Sequence, residues 1–177
     1  MAAENDDLLE EAREAFALAC EAEQENRAEA LDDYRFARLA EQWPEEVRAQ
    51  RALEGRPCLT INAMPSFIRQ VVNDGRQNKP SISVHASDDQ ADPETAQVFA
   101  GIIRNIEYAS RAQAAYDTAL ECAVTGGFGY WRINTAYTSD DTFDQDIVIE
   151  RVANPFSIYG DPYGRRSTAP TGTAPSR

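Results

Sequence analysis

The chain has 177 residues, of which 42% are hydrophobic and 27% charged, with a formal net charge of −13 and a pI of about 4.5. That length suits one ordinary domain burying about 70% of its unfolded surface. No apolar run reaches the ~18 residues of a membrane helix, residues 1–13 lack a basic-then-apolar leader, and no Lys/Arg cluster offers the counterion displacement that holds nucleic acid. The three cysteines, Cys20, Cys58 and Cys122, are far apart and form no Cys-x-x-Cys. They read as reduced thiols in a cytosolic setting.

Asn5 or Asp6 can cap a first helix, and Leu8, Ala12, Ala15, Phe16 and Ala19 follow at helical spacing. Glutamates cover the remaining faces, and the pattern continues less cleanly to about Ala40. The apolar stripe is narrow and rich in alanine, so this helix needs a partner surface, either its own domain or a neighbouring subunit. Trp43-Pro44 breaks the pattern. Pro44 opens a short helix with Glu45 and Glu46 near its N-terminus, and Gly55 ends it. Residues 56–61 are extended. Pro65 opens the next helix, with Phe67, Ile68, Val71 and Val72 as its buried face and Gly75 a cost of about 1 kcal/mol relative to alanine. Residues 81–86 alternate as a short strand with Ile82 and Val84 on one side.

Asp92-Pro93-Glu94 supplies a cap, a proline in the first turn and an early acid in succession, a clear helix start. Phe99, Ile102, Ile103 and Ile106 form that helix's stripe. Ser110 and Gln113 have capping-box spacing, which predicts a bend or restart.

Residues 112–133 then change period. Ala112, Ala115, Tyr116, Ala119, Leu120 and Ala123 recur at helical spacing, whereas Trp131, Ile133, Thr135 and Tyr137 alternate with Tyr130, Arg132, Asn134 and Ala136 as a strand does. Gly126, Gly127 and Gly129 lie between and form a structural turn, with Gly126 as the C′ residue at positive φ. Ser139-Asp140-Asp141 turns the chain, and residues 147–152 return antiparallel to the first strand. Asn154-Pro155 interrupts it, and Phe156, Ile158 and Tyr159 are a last extended piece. The segment from Gly164 to the end has no large apolar residue to offset its ordering entropy and is expected to be disordered. The expected division is an acidic helical segment (1–42), a mixed helix and sheet domain (43–162) and a tail (163–177). The fold class is α+β, mostly helical with a small antiparallel sheet.

Little in this chain points to chemistry. The glycines at 126–129 follow a helix and open a strand, the reverse of a phosphate loop, in which helix N–H groups face the anion. Asp140, Asp141, Asp144 and Asp146 lack the alternation and central glycine of a calcium loop and read as a solvated hairpin loop. His85 is the only histidine and has no second His or Cys at metal spacing. No Ser or Cys has a plausible base beside it. Tyr130, Trp131 and Tyr137 could stack on bases, but only Arg132 accompanies them, which favours packing. No catalytic, cofactor-binding or metal-ligating residue is assigned.

Several stretches taken together resemble a known family. They are Gly55-Arg56-Pro57-Cys58-Leu59-Thr60-Ile61-Asn62, Arg69-Gln70-Val71-Val72-Asn73-Asp74 and Arg76-Gln77-Asn78-Lys79-Pro80-Ser81-Ile82. Further on come Tyr116-Asp117-Thr118-Ala119, Val124-Thr125-Gly126-Gly127-Phe128-Gly129-Tyr130-Trp131-Arg132 and Asn154-Pro155-Phe156-Ser157-Ile158-Tyr159. In this order they resemble the N-terminal part of the portal proteins of short-tailed bacteriophages that package DNA to a full head, over roughly residues 7–162. The resemblance implies a structural, non-enzymatic subunit of a homo-oligomeric ring, usually of twelve copies, at one capsid vertex of the virion, assembled in the host cytoplasm. It also implies contacts with capsid and scaffold proteins, terminase and head-completion proteins. DNA passes through such a ring without sequence-specific binding, and an acidic surface that repels phosphate suits such a passage. The matched region corresponds to the outer wing.

Gly75 and Gly160 depart from the family pattern, which favours a larger helix-compatible residue and an aromatic one there. The likeness ends near Pro162, before the stem helices and clip that the family carries, so the chain reads as a truncated N-terminal part. Two other functions compete. One is an acidic helical protein–protein interaction module built on the first helix. The other, far weaker, is a metal-dependent enzyme using Asp140 to Asp146.

Overall fold

The computed structural model describes residues 2–79, 81–86, 92–163 and 172–173. In chain order its elements are α1 (Ala2–Arg38), α2 (Glu45–Leu53), α3 (Met64–Gln77), α4 (Pro93–Ala109), α5 (Ala112–Gly126), β1 (Trp131–Tyr137) and β2 (Gln145–Arg151). A 3₁₀ turn (Pro155–Ser157), β3 (Ile158–Tyr159) and β4 (Gly172–Thr173) follow. The fold is α+β and mostly helical, and β1–β2 and β3–β4 are separate antiparallel pairs. The chain divides into two compact units: Met1–Pro65 with Asn154–Arg177, and Ser66–Ala153. Apart from β4, the tail from residue 164 lies outside the described residues.

The first unit is built on α1. Its 37 residues would span about 55 Å at a rise of ~1.5 Å per residue. Ala19, Ala30 and Ala37 are its buried apolar positions, spaced so that all three fall on one face. The 3₁₀ turn and β3 lie along that face, with the Phe16 and Tyr159 rings 4.9 Å apart and those of Tyr34 and Phe156 5.7 Å apart. Towards the N-terminus the stripe is uncovered, and Leu8 and Leu9 are exposed. At the other end Asn62 Nδ2 donates to the Ala37 carbonyl at 2.7 Å, satisfying one of the orphan acceptors of the last turn, and Ala40 turns the chain at φ +58°. Pro44 occupies the N-cap position of α2. After α2, Gly55 takes φ +69°.

In the second unit Asp92 caps α4 by accepting from the backbone N–H groups of Glu94 and Thr95. The break between α4 and α5 falls where expected, but no capping box makes it. Arg111 stands in the left-handed region at φ +52° with no side-chain cap, Ser110 Oγ is buried without a partner, and Gln113 donates to Asp117 instead. Ala112 and Ala115 of α5 pack on Ile149 of β2, with Ile106 and Tyr116 alongside. The β1–β2 register runs from Trp131 opposite Arg151 to Tyr137 opposite Gln145.

Two expectations fail here, the second only in part. Residues 81–86 form no strand; Ile82 is exposed and Ser83 Oγ meets His85 Nε2 at 2.8 Å. Alternation alone does not make a strand, and among the described residues no ladder partner lies alongside this one. The predicted buried face of α3 is found only in part and is rotated: Val72 is buried and Ile68 half-buried as expected, whereas Phe67 and Val71 are 62% and 52% exposed. The reason is Gly75, one turn along from Val72. A Cβ there would stand 2.5 Å from Leu120 Cδ2, so the glycine lets α3 press on α5, and Arg76 pairs with Asp117 at 3.0 Å on the same contact. Gly75 thus has a packing role here.

Candidate assembly surfaces and the glycine turn

The three glycines singled out in the sequence do different work. Thr125 Oγ1 bonds back to the Glu121 carbonyl at 2.7 Å, and the helix runs through Gly126, which is buried. The left-handed residue is therefore Gly127, at φ +85°, and not Gly126. Its N–H donates to the Ala123 carbonyl at 2.9 Å and closes the helix. Gly129 serves by close approach: a Cβ on it would overlap the Ala119 carbonyl. The turn thereby lays the start of β1 back along α5, and the Tyr116 and Trp131 rings meet edge to face, with centroids 5.2 Å apart.

Tyr116 also donates to Glu107 Oε1 at 3.0 Å. Burial, then this hydrogen bond and the carboxylate's charge, push its pKa up to about 12.

The densest polar arrangement lies in the first unit and was not foreseen from the sequence. Arg27 is nearly buried and pairs with Glu23, one turn away, at 2.8 Å. Its Nη1 donates to the Phe156 carbonyl at 2.8 Å, its Nη2 donates to the Ile158 carbonyl, and its guanidinium lies 3.7 Å from the Tyr159 ring centroid. Glu23 Oε1 accepts from the Gly160 N–H at 2.8 Å. Residues 156, 158 and 160 present alternate backbone groups to one side, as a strand edge does. Two side chains of α1 thus take the place of a neighbouring strand, while β4 pairs along β3. A Cβ on Gly160 would stand 3.1 Å from Glu23 Oε1, a tight approach that the carboxylate would have to yield to. Phe16, Ala19, Glu23, Arg27, Ala30, Tyr34 and Ala37 recur at intervals of three and four. An ion pair set inside an apolar stripe was the available signal.

The remaining candidates are not brought together. Asp140, Asp141, Asp144 and Asp146 are exposed around Phe143, which is 95% exposed. Among the described residues no group of three or more His, Cys, Asp or Glu side chains could hold a metal ion. His85 is exposed and touches Ser83. Cys20, Cys58 and Cys122 form no disulfide with one another. Among the described residues no helix is long and apolar enough to cross a membrane. What the molecule offers is surface. Leu8 and Leu9 on α1, Phe67 and Val71 on α3, Val98, Phe99 and Ile102 on α4, and Ile133, Tyr137 and Ile147 on the hairpin are all exposed.

Comparison with known proteins agrees with an assembly role. The chain is 27% identical over 149 residues to the portal protein of Acyrthosiphon pisum secondary endosymbiont phage 1. That match covers 79% of this chain and 21% of the relative, so the chain spans about one-fifth of the relative's length. The family of phage P22-like portal proteins, which are structural proteins, matches residues 13–169. With most of its length inside that match, this chain belongs to the phage P22-like portal protein family.

Proposed function

We propose that this chain is a structural, non-enzymatic subunit, or part of one, of the portal ring that forms the DNA channel at one capsid vertex. The observation that carries this is the family match over residues 13–169. Two features of the molecule support it. Its exposed apolar groups are distributed over α1, α3, α4 and the hairpin, as suits a subunit contacting several neighbours. Its net charge of −13 suits a ring through which DNA slides without being held. On this proposal residues 43–162 contribute to the wing. The neighbours are further copies of the subunit, capsid and scaffold proteins, the terminase that pumps DNA and the proteins that close the head. Assembly takes place in the host cytoplasm. The test is an epitope tag on the chain in its own phage genome, followed by immunogold electron microscopy of purified particles. Label at a single vertex is the expected result. Label spread over the shell, or particles without label, would overturn the proposal.

A further inference from the structure

The second unit carries two exposed patches of opposite charge, each holding an exposed aromatic ring. One is the hairpin tip. Phe143 is 95% exposed, and Asp140, Asp141, Asp144 and Asp146 around it are exposed too. No lysine or arginine lies between Arg132 and Arg151. The Thr138 N–H and hydroxyl both donate to the Asp144 carbonyl, at 2.9 and 3.2 Å, which closes the loop beside Phe143. The other patch is the C-terminal end of α4. Arg104, Tyr108 and Arg111 follow one another at intervals of four and three, the spacing of one helix face. Tyr108 is 86% exposed, and both arginines are exposed. Among the described residues neither guanidinium meets a carboxylate, whereas Arg76 and Arg132 of the same unit are paired with Asp117 and Glu150. Glu107, beside this stripe, is engaged by Tyr116 instead.

We propose that these two patches meet between copies. The hairpin tip of one subunit seats on the α4 stripe of the next, with Phe143 against Tyr108 and the aspartates facing Arg104 and Arg111. On one copy the patches stand apart. Ile106, within the stripe's own turns, packs against the cluster of Ala112, Ala115 and Ile149. From Ile149, β2 runs back four residues to Gln145, about 13 Å at ~3.3 Å per residue, before the tip begins. A surface that complements a different surface of the same chain makes a heterologous contact. Such a contact repeats head to tail, as a closed ring requires. Charge complementarity selects the occupant: the acidic tip repels nucleic acid, and each copy carries a cationic stripe with no acid of its own to neutralise it. An aromatic anchor within a polar rim is how protein contacts are built, and the opposed charges fix the direction of approach. The inference rests on the ring reading above and adds which surfaces meet.

The test is crosslinking of the purified 177-residue chain in solution, with Cys20 and Cys58 replaced by serine and Cys122 by alanine. Thr142→Cys, beside the tip ring, and Asn105→Cys, beside the stripe, are made in separate proteins, one carrying a size tag. Both positions are exposed. A short bismaleimide should join the two proteins when they are mixed and leave each alone uncrosslinked. Asp140→Arg with Asp141→Arg in the first protein should cut the yield about fivefold or more by setting like charges opposite one another. Arg104→Glu with Arg111→Glu in the second should do the same, and mixing the two reversed proteins should restore the product. No mixed product, products of like with like in its place, or indifference to both reversals would overturn the proposal. The experiment needs no capsid and so is independent of the vertex label. Label at one vertex without crosslinking overturns this contact alone, and crosslinking without label at the vertex supports the contact while overturning the portal reading.

Discussion

The backbone at Gly129 lies so close to the carbonyl of Ala119 that no Cβ fits between them. The obstacle is main chain rather than the end of a flexible side chain, so it cannot step aside. Gly129→Ala should destabilise the second unit by about 1–3 kcal/mol, the usual cost of overpacking. Gly127→Ala meets open space but must hold φ +85°, at a cost of about 1–2 kcal/mol. The two changes differ more in what they disturb. Alanine at 129 pushes β1 off α5 and should loosen the Trp131 ring from Tyr116. Alanine at 127 strains only the cap. Near-ultraviolet circular dichroism, with thermal melts, should show lost aromatic ellipticity for Gly129→Ala and a near-native spectrum for Gly127→Ala. Equal spectra would contradict the division of labour between the glycines.

Arg27 should govern how firmly residues 156–160 sit on α1. Arg27→Ala removes two hydrogen bonds to backbone carbonyls, the ring contact with Tyr159 and the partner of Glu23, leaving charged and polar groups uncompensated. The expected loss is about 2 kcal/mol, in the range for hydrogen bonds to a charged group at a partly buried site. Arg27→Lys keeps the charge but cannot fork to two carbonyls, so it should fall between. Hydrogen exchange at the Gly160 amide, which Glu23 accepts, is the readout. Protection should fall in the order wild type, lysine, alanine. Unchanged protection in the alanine variant would show that Tyr159 and Phe156 hold the segment without it.

These two sites mark the boundary of what the sequence could tell. The cap at Asp92, the break near Ser110, the change of period around the glycines and the antiparallel hairpin were legible because each depends on neighbours a few residues away. The glycine turn was legible as a turn, but not which glycine did what, since the close approach at Gly129 depends on how the strand returns to the helix. The Arg27 arrangement joins residues separated by 129 and 131 positions, and no local pattern encodes that. The buried side of α3 was legible only in part for the same reason. Its apolar stripe took in Phe67, Ile68, Val71 and Val72; of these Val72 is buried and Ile68 half-buried, and Gly75 rather than Phe67 or Val71 joins the tertiary contact.

Asp92 tests the start of α4. Its carboxyl is held below the usual range first by the Thr95 hydroxyl and then by the Glu94 N–H. A depressed folded pKa gives stability that is present above the unfolded aspartate value and is lost as pH falls through the folded one. Asp92→Ala should destabilise the start of α4 at neutral pH, as loss of an N-cap does. Asp92→Asn should retain most of the cap while removing its acid sensitivity. Helix fraying near residues 93–96, followed by amide exchange from neutral to acid pH, separates the three. Identical acid profiles for Asp and Asn would rule out the carboxylate as the source.

Tyr116 makes the complementary prediction at the alkaline end. Its hydroxyl is partly withdrawn from solvent and donates to Glu107, and both favour the protonated phenol. Its pKa is pushed up from about 10 to about 12. Between those values the unfolded chain releases the phenolic proton while the folded chain keeps it. The folded state therefore binds more protons, and stability falls as pH rises across that window. Below pH 10 the contribution is complete, and above pH 12 it is gone. Tyr116→Phe cannot ionise, so its stability should lack this loss, although it gives up the Glu107 hydrogen bond and is the less stable protein at neutral pH. Denaturant unfolding of both proteins at several pH values from 8 to 12 reads the difference. Their stabilities should converge on the alkaline side, and curves that stay parallel throughout would show that the phenol titrates as freely as in the unfolded chain.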